Sequence, residues 1–301
     1  MPATPRRTAE EPIRDSTLVL RAPALAEISW LIHGFSTRLG GVSAIPDSRR
    51  SRAELNLGKV LWDTAANVEE NRKRFLESLR AAGMRLHSQE QIHSDLIREI
   101  EKVPAPGSKP RGDGLITARK GLLLGILSAD CLPLLLVDVR RRVVAAFHCG
   151  WRGTARRIAQ KGVGRMRLRF GCRPEDLRAA IGPGIRACCY CIGEEVAEQY
   201  QTQFLYSSSL LRISNPHKKF IDKNYALMRS EPWRGSPSRD GRIIHLDLVE
   251  ANLRQLEEAG LGRSQIFAEA PCTSCHPELF YSHRRDAGHT GRMLSVIGIR
   301  S

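Results

Sequence analysis

The chain contains 301 residues, of which 42% are hydrophobic and 26% charged, the composition of an ordinary globular protein. This length suits one large domain or two ordinary ones, and no apolar run approaches the roughly 20 residues that a membrane-spanning helix needs. The N-terminal segment, residues 1–17, contains Arg6, Arg7 and Arg14 but lacks the apolar core of a secretory signal. We therefore predict a cytoplasmic protein that does not bind membranes, with a flexible tail over residues 1–17.

The formal net charge of +15 raises the question of nucleic-acid binding. The basic residues are scattered along the chain apart from the cluster 140–142, and no zinc-finger, RRM or KH motif accompanies them. We therefore interpret the charge as a basic surface that helps to attract anionic substrates, and nucleic-acid binding as the less favoured alternative. Eight cysteines without an export signal favour reduced thiols or metal ligands over disulfides.

Two hydrophobic patterns predict the secondary structure along the chain. Apolar and β-branched runs predict strands at 19–20, 28–35, 86–93, 96–100, 115–117, 121–128, 132–137, 143–148, 177–181, 266–268, 280–284 and 293–299. Apolar residues spaced three and four apart predict helices at 64–82, 153–170, 194–204 and 246–259. Residues 39–43 are interpreted as a turn, and residues 205–242, rich in Ser, Pro, Arg and Lys, as a long basic insertion.

The order of these elements predicts the domain organisation. Strands and helices alternate irregularly, with no internal repeat and no shift in composition that would mark a domain boundary. We therefore predict a single α/β domain over residues 18–301, built from mixed sheets.

Three side chains that can bind a metal stand at the ends of predicted strands or directly after them: His93, Cys131 and His148. Strand ends lie at the rim of a sheet, where small-molecule sites usually form. Two imidazoles and a thiolate suit zinc, and three protein ligands leave the fourth tetrahedral position open for water or substrate. Because the spacing is long-range, the residues alone leave open the alternative that each side chain has only a structural role.

Residues 148–154, His-Cys-Gly-Trp-Arg-Gly-Thr, resemble the HAGWRGT signature of the YfiH family, also called the multicopper polyphenol oxidase or laccase-domain family. The resemblance covers about residues 30–300. Further segments similar to the family's occur in the family's order, at 34–43, 56–58, 67–72, 91–93, 113–117, 129–133, 181–185, 272–273, 280–286 and 291–293. One departure is Cys149, where the family usually has Ala; we interpret its side chain as a small buried hydrophobe.

This resemblance implies a fold, a metal and an activity. The family forms a four-layer α/β/β/α sandwich, and its motif His, Cys and His, which correspond to His93, Cys131 and His148, bind zinc. Its members resemble purine nucleoside phosphorylases: they cleave adenosine, inosine and S-methyl-5′-thioadenosine with phosphate to the base and ribose 1-phosphate, and also deaminate adenosine. The resemblance thus implies Zn²⁺ rather than copper, with purine nucleosides and inorganic phosphate as partners. The oligomeric state stays open.

Two further residues are candidates for holding substrate. Phosphorolysis requires phosphate close to C1′ of the ribose, and a planar, bidentate cation suits that oxyanion. Arg38 is our candidate for phosphate binding and catalysis, with a surface arginine as the alternative, and Asn56 is a candidate substrate contact or loop cap. Cys131 and His148 complete the predicted catalytic set, because an open zinc site lowers the pKa of bound water to about 7, which suits deamination.

Three other functions compete with this hypothesis. A copper phenol oxidase is disfavoured because a multicopper site typically uses His-x-His pairs, whereas this chain has nine His and no such pair. A cysteine hydrolase would use Cys131 as nucleophile and His148 as base. A non-enzymatic RNA-binding protein would exploit the positive charge, with steeply salt-dependent binding.

Two cysteine-rich segments stand outside the predicted site. Residues 188–191, Cys-Cys-Tyr-Cys, and residues 272–276, Cys-Thr-Ser-Cys-His, look like ligand patterns, and the second has the C-x-x-C-H spelling of haem attachment. Haem attachment requires export, which nothing in the sequence supports. A second zinc site made from these two segments is the less favoured interpretation.

Overall fold

The computed structural model describes residues 18–45, 53–102, 105, 107, 109–214 and 242–301. The predicted tail at 1–17 lies outside these residues, as does most of the predicted insertion at 205–242. The strands are β1 (Val19–Leu20), β2 (Leu31–Ser36), β3 (Leu39–Ser43), β4 (Arg85–Ser88), β5 (Ile97–Glu99), β6 (Gly114–Thr117), β7 (Leu122–Ser128), β8 (Leu132–Asp138), β9 (Val143–Cys149), β10 (Leu177–Ile181), β11 (Cys191–Ile192), β12 (Leu211–Ser214), β13 (Ile243–Leu246), β14 (Ile266–Phe267) and β15 (Met293–Ile299). The helices are α1 (Pro23–Ala26), α2 (Ala65–Ser78), α3 (Trp151–Ala155), α4 (Ile158–Phe170), α5 (Glu194–Gln203), α6 (Ser207–Leu210) and α7 (Leu248–Glu258).

Two large mixed sheets face each other across a shared apolar core. The first has the strand order β1-β2-β15-β7-β4 and the second the order β14-β10-β8-β9-β6-β5. Because successive side chains of a strand point to opposite faces, alternate residues of β7 and β15 meet alternate residues of β8 and β9. This central cluster includes Leu122, Leu124, Ile126, Ile297, Leu135, Val137, Val144 and Ala146.

Helices cover the outer face of each sheet. On the first sheet, Phe75 and Leu79 of the α2 region pack against Leu123 of β7 and Val296 of β15. On the second sheet, residues of α3, α4, α5 and α7 pack against the outward side chains of β8 and β9, such as Phe147. The layers therefore run α/β/β/α, which confirms the predicted four-layer sandwich with mixed sheets. Within the described ranges no helix has the length and apolar character of a membrane span.

The helix boundaries follow from local capping chemistry. Thr64 begins α2, because its side chain accepts a hydrogen bond from the N–H of Asn67, and Asp247 begins α7 in the same way. The predicted helix at 153–170 is two helices, α3 and α4, separated by Arg157 in the left-handed conformation at φ 63°. The guanidinium of Arg157 donates to Glu258 and to the carbonyl of Gln203. These distant contacts stabilise a break that the apolar spacing alone does not reveal.

Residues 39–43 and 280–284 adopt conformations other than the predicted ones. Residues 39–43, predicted as a turn, form β3, which bridges to Glu54 from both of its ends. A Cβ at Gly41 would lie 2.1 Å from the carbonyl oxygen of Glu54, so glycine is what permits this close approach. Residues 280–284, predicted as a strand, instead lead into turns in which Asp286 donates its N–H to the carbonyl of Ser282. The structure also contains β13, which pairs with β11 and β12 in a third sheet and which the sequence did not predict.

Candidate metal centre and cavity

The three predicted ligands come from loops and strand ends where the two large sheets connect. His93 lies in the loop after β4, not in a strand as predicted; Cys131 lies in the loop between β7 and β8; and His148 lies near the end of β9. Because Leu132 pairs with Cys149 in the antiparallel ladder of β8 and β9, Cys131 is brought beside the end of β9. The register of the second sheet thus places two of the three ligands next to each other.

The side chains of His93, Cys131 and His148 converge, and we call them the His–Cys–His site. Their potential ligand atoms all lie within 4.8 Å of one another. The His93 Nε2 atom is 3.9 Å from Cys131 Sγ, and the two imidazole centroids are 4.9 Å apart with their planes at 77°. His148 is buried, whereas His93 is exposed, so the site is open on one side.

Asp113, directly before β6, organises the loop that carries His93. Its carboxylate accepts hydrogen bonds from the N–H groups of Ile92, His93 and Ser94, at 3.2, 3.1 and 2.6 Å, and from Ser94 Oγ at 2.7 Å. This network holds His93 at a φ of 57°, a left-handed conformation that few non-glycine residues adopt. In the sequence, Asp113 stands within the family segment 113–117, and no local pattern predicts its role.

The same carboxylate orients His148. The His148 Nδ1 atom lies 2.8 Å from Asp113 Oδ1, and because a carboxylate only accepts, Nδ1 carries the proton and Nε2 is left for a metal. Burial opposes the ionisation of Asp113, but hydrogen bonds from His148 and Ser94 outweigh it and lower the pKa of Asp113 to about 2. Asp113 is therefore ionised across the physiological range.

Cys131 and His148 shift each other's protonation. Burial opposes ionisation of the thiol, but the positive charge of His148 and hydrogen bonds from both imidazoles outweigh burial and lower the pKa of Cys131 to about 6. Burial also opposes protonation of His148, yet the Cys131 thiolate and Asp113 raise the pKa of His148 to about 9. Near neutral pH without a metal, the pair is thus thiolate and imidazolium, and metal binding would displace the proton of His148.

The space between these side chains suits a zinc ion. A Cβ at Gly150 would lie 3.0 Å from Cys131 Sγ and 3.1 Å from His93 Cδ2, so only glycine leaves the gap between the ligands free. Two imidazoles and one thiolate form a donor set that zinc accepts with one tetrahedral position left over. The residues present therefore fit the metal that the family resemblance implies.

A cavity of about 720 Å³ opens over the His–Cys–His site, within the size range of small-molecule pockets. Apolar and aromatic side chains form part of its wall, including Leu127, Trp151, Ile185 and Tyr190. Six basic side chains line it as well, against the two carboxylates of Glu90 and Asp130: Lys59, Arg72, Lys109, Arg152, Arg284 and Arg292. The cavity thus combines apolar surface with an excess of positive charge.

Among the described residues, Arg72 and Arg292 donate to backbone carbonyls rather than to carboxylates. Arg72 donates from Nε and Nη2 to the carbonyl of Leu57, and Arg292 donates from Nη1 to the carbonyl of Gly291. In the parts of the chain that the structure describes, none of the six forms an ion pair. Burial lowers the pKa of Arg72 and of Arg292, which reflects the cost of keeping a guanidinium away from water. An anion in the cavity would offset that cost.

The predicted substrate residues Arg38 and Asn56 are not in the cavity wall. The Arg38 guanidinium is buried, forms an ion pair with Glu54 at 2.5 Å and lies 4.7 Å from the centroid of the Tyr281 ring. Asn56 is fully buried; its Oδ1 accepts a hydrogen bond from the N–H of Arg292 at 2.9 Å. Asn56 thus contacts the cavity only through the backbone of a cation that lines it, and substrate binding by either residue stays a prediction.

Asp130, the residue directly before Cys131, has both carboxylate oxygens occupied. Oδ1 accepts from Thr273 Oγ1 at 2.6 Å, and Oδ2 accepts from the N–H of Arg284 at 2.7 Å. These bonds tie the Cys131 loop to the segment that carries Arg284. The contacts agree with a structural acceptor beside the site.

Comparisons with known proteins agree on one family. The family profile described as multi-copper polyphenol oxidoreductase laccase matches residues 32–300. A protein named purine nucleoside phosphorylase from Deinococcus radiodurans is 39% identical over 281 residues, covering 93% of this chain and 92% of the relative. A protein named adenosine deaminase RL5, from an unknown prokaryotic organism, is 29% identical over 273 residues, covering 88% and 93%.

A solved structure shows the same fold. The crystal structure of the hypothetical protein YfiH from Bacillus licheniformis matches with a TM-score of 0.76 and 31% identity, covering 96% of this chain and 98% of that one. The chain therefore belongs to the multi-copper polyphenol oxidoreductase laccase family, the YfiH-like family that its motifs predicted.

Proposed function

We propose that this protein is a zinc-dependent purine nucleoside phosphorylase that cleaves adenosine, inosine and S-methyl-5′-thioadenosine with phosphate, and that it also deaminates adenosine. One observation carries the proposal: the His–Cys–His site opens into a cavity whose wall holds six cations and no carboxylate paired with them among the described residues. Relatives along nearly the whole chain are named for the two activities.

The cavity offers complementary surfaces to the two substrates. Purine and ribose would lie against the apolar and aromatic wall, which includes Leu127 and Tyr190. Phosphate would be held by the guanidinium groups, for which Arg72 and Arg292 are the strongest candidates: both line the cavity, and hydrogen bonds to backbone carbonyls orient them. Neither forms an ion pair with a carboxylate of the described residues. A phosphate oxygen then forms the bond to C1′ as the bond from C1′ to the purine nitrogen breaks, and the purine takes up a proton.

The chain's own residues also prepare the metal ligands. Asp113 fixes the tautomer of His148 and the backbone of His93, so neither imidazole needs to reorient on binding. When bound there, zinc would supply a Lewis acid and activate water, the chemistry that deamination at C6 of adenine requires. Cys131 and His148 also line the cavity, so as metal ligands they would lie beside the bound substrate.

Incubation of the purified protein with adenosine, with and without phosphate, tests the proposal. We expect adenine and ribose 1-phosphate only when phosphate is present, and inosine in either case. A Cys149→Ala variant is the matched control, because Cys149 is buried beside His148, burial raises its pKa, and alanine preserves the packing. The absence of any product from purine nucleosides would contradict the proposal.

Arg292→Lys and Arg38→Lys form a matched pair that tests the phosphate site. Both variants keep the positive charge but lose the planar guanidinium group, which can donate two parallel hydrogen bonds to a phosphate. We expect Arg292→Lys to raise the KM for phosphate about tenfold, since a charged hydrogen bond contributes roughly 1.5–3 kcal/mol, and Arg38→Lys to leave that KM unchanged. The reverse result in phosphate-dependent kinetics would restore Arg38 as the phosphate-binding residue.

A cysteine hydrolase is the second candidate, because Cys131, His148 and Asp113 also have the order of a nucleophile, a base and an orienting carboxylate. The lowered pKa of Cys131 favours it as well. Metal analysis together with thiol alkylation separates the two functions. A metal-free purified protein with a fast-reacting Cys131 would favour the hydrolase.

A further inference from the structure

A second group of metal-binding side chains lies outside the His–Cys–His site. Cys188 and Cys189 lie in the loop between β10 and β11, and Cys272 and Cys275 lie in the loop between β14 and β15. Their four Sγ atoms all lie within 4.8 Å of one another, and we call them the tetracysteine cluster. Two loops that are more than 80 residues apart in sequence thus bring four thiols to one point.

The sulfur positions indicate a common centre rather than a bonded pair. Cys275 Sγ lies 3.5 Å from Cys188 Sγ and 3.4 Å from Cys189 Sγ, and all four cysteines are free thiols. A disulfide joins two sulfurs at about 2.05 Å, so Cys275 could bond to only one of its two neighbours. Four thiolates around zinc at about 2.3 Å are about 3.8 Å apart, close to the observed distances.

The chain holds the two loops together without any metal. Cys272 is buried, and its sulfur accepts a hydrogen bond from the N–H of Arg186 at 3.4 Å. The Arg186 side chain reaches the carbonyls of Ala268 and Ala270, and Thr273 donates its N–H to the carbonyl of Gly184. N–H donation to sulfur favours the thiolate form that a metal requires, and the bonds between the loops pre-organise the cluster.

The C-x-x-C-H motif of residues 272–276 does not correspond to the set of side chains in the tetracysteine cluster. His276 is not one of the clustered groups and pairs with Glu278 at 3.0 Å. Cys191, the third cysteine of the first segment, also lies outside the cluster, in β11. The tetracysteine cluster is therefore formed by two cysteines from each segment.

We propose that the tetracysteine cluster binds a second zinc ion as a closed, four-thiolate structural site, with the thiol protons released to solvent. Zinc suits four sulfur ligands, and a site with four protein ligands leaves no open position for substrate. In this respect it differs from the His–Cys–His site, which has three ligands and faces the cavity.

The second ion would stabilise one wall of the cavity. The first loop carries Ile185 and Tyr190, both of which line the cavity, and Ile185 donates its N–H to the carbonyl of Asp130 at 2.7 Å. In the second loop, Thr273 bonds the Asp130 carboxylate. Joining the loops by a metal would therefore fix the wall beside Cys131, and loss of the metal would raise the KM for nucleoside more than it lowers kcat.

Zinc content of the full-length protein tests this proposal independently of nucleoside turnover. We expect the wild-type protein to contain about two zinc ions per chain, and a Cys188→Ser, Cys275→Ser double variant to contain about one. Cys191→Ser is the matched control, because it removes a thiol from the same segment but outside the cluster, and it should keep both ions. A folded double variant with wild-type zinc content would overturn the proposal.

X-ray absorption at the zinc edge of the wild-type protein covers the case in which the double variant does not fold. With both sites filled, each zinc has on average between two and three sulfur neighbours; with the His–Cys–His site alone, it has one. An average of one would overturn the proposal, as would non-reducing mass spectrometry that finds Cys275 in a disulfide. Failure here leaves the proposed function intact, because that function uses only the His–Cys–His site.

Discussion

The His–Cys–His site and the tetracysteine cluster both gather metal-binding side chains from distant parts of the chain, but they are built for different tasks. The first combines two imidazoles with one thiol and faces a cavity of about 720 Å³. The second has only thiols, supplied by two loops, and none of these thiols lines the cavity. Three ligands beside a cavity leave room for a substrate, whereas four sulfurs close the coordination sphere.

The two regions also differ in what pre-organises them. A buried carboxylate, Asp113, orients the His–Cys–His site through the N–H of His93 and the ring of His148. In the tetracysteine cluster, a backbone N–H from Arg186 performs the comparable role for Cys272. A charged orienting group tunes ligand basicity and suits catalysis, while backbone donors suit a site whose task is to hold loops together.

His93→Asn should give the largest difference between the two regions. Asparagine tolerates the left-handed φ of 57° at this position but is a poor zinc ligand. We expect nucleoside turnover to fall by more than about a hundredfold, since even partners of metal ligands contribute 10–100-fold, while about one zinc ion per chain remains. Kinetics and metal analysis on the same sample provide the measurement.

Two other results of the His93→Asn experiment would contradict these expectations. A variant that loses all of its zinc would mean that the tetracysteine cluster holds no ion on its own. A variant that keeps full turnover would remove His93 from the catalytic site. His87→Asn is a suitable control, because His87 is a buried histidine of β4 in the same segment and lies outside both metal-binding groups.

Asp113→Asn should have a smaller effect at the same site. The amide keeps the shape of the carboxylate, but its NH₂ group would face N–H donors of Ile92 and Ser94, and it cannot hold His148 as firmly. We expect zinc affinity at the His–Cys–His site to fall by about 10–100-fold, with the tetracysteine cluster unchanged. Chelator competition measures both affinities.

Asp138→Asn is the matched control for that substitution. Asp138 is also fully buried and accepts backbone hydrogen bonds, here from Arg140 and Arg141 at the far end of β8. It should lower stability without changing zinc affinity. Equal losses of zinc in both variants would mean that Asp113 acts only through the general stability of the fold.

The secondary-structure elements that could be predicted from the sequence are those with a local hydrophobic pattern. The buried strands β7, β8, β9 and β15 are apolar runs bounded by turns, and all four were predicted to within one or two residues. β3 and the helix break at Arg157 depend instead on partners distant in sequence, Glu54 and Glu258. No local periodicity contains that information.

The difference between local patterns and distant partners also explains which residues of the site could be predicted. The ligands His93, Cys131 and His148 stand at or directly after the ends of predicted strands and within family motifs, so the sequence could propose them. Asp113 could not be recognised, because its partners lie 19 to 35 residues away. Arg38 has the right chemistry for phosphate, yet the fold places Glu54 against it.

The pH dependence of thiol alkylation compares the ionisation of Cys131 with that of Cys189, and it is the smallest of the expected effects. In the metal-free protein the pKa of Cys131 is lowered to about 6, so its thiolate predominates above that pH and is lost below it. Burial and a hydrogen bond with Cys275 raise the pKa of Cys189 to about 11, so Cys189 stays a thiol across the same range. Because only the thiolate reacts, alkylation of Cys131 should slow about tenfold from pH 7 to pH 5, while Cys189 stays slow at both.

Pulsed iodoacetamide labelling of chelator-treated protein, read by peptide mass spectrometry, measures these rates site by site. Equal rates for Cys131 and Cys189 at pH 7 would contradict the difference in ionisation between the regions. The untreated protein gives the second half of the comparison, since a zinc ion at each site would protect both thiols. If Cys131 reacts as fast before chelation as after it, its thiolate is not a metal ligand, and the cysteine hydrolase becomes the favoured function.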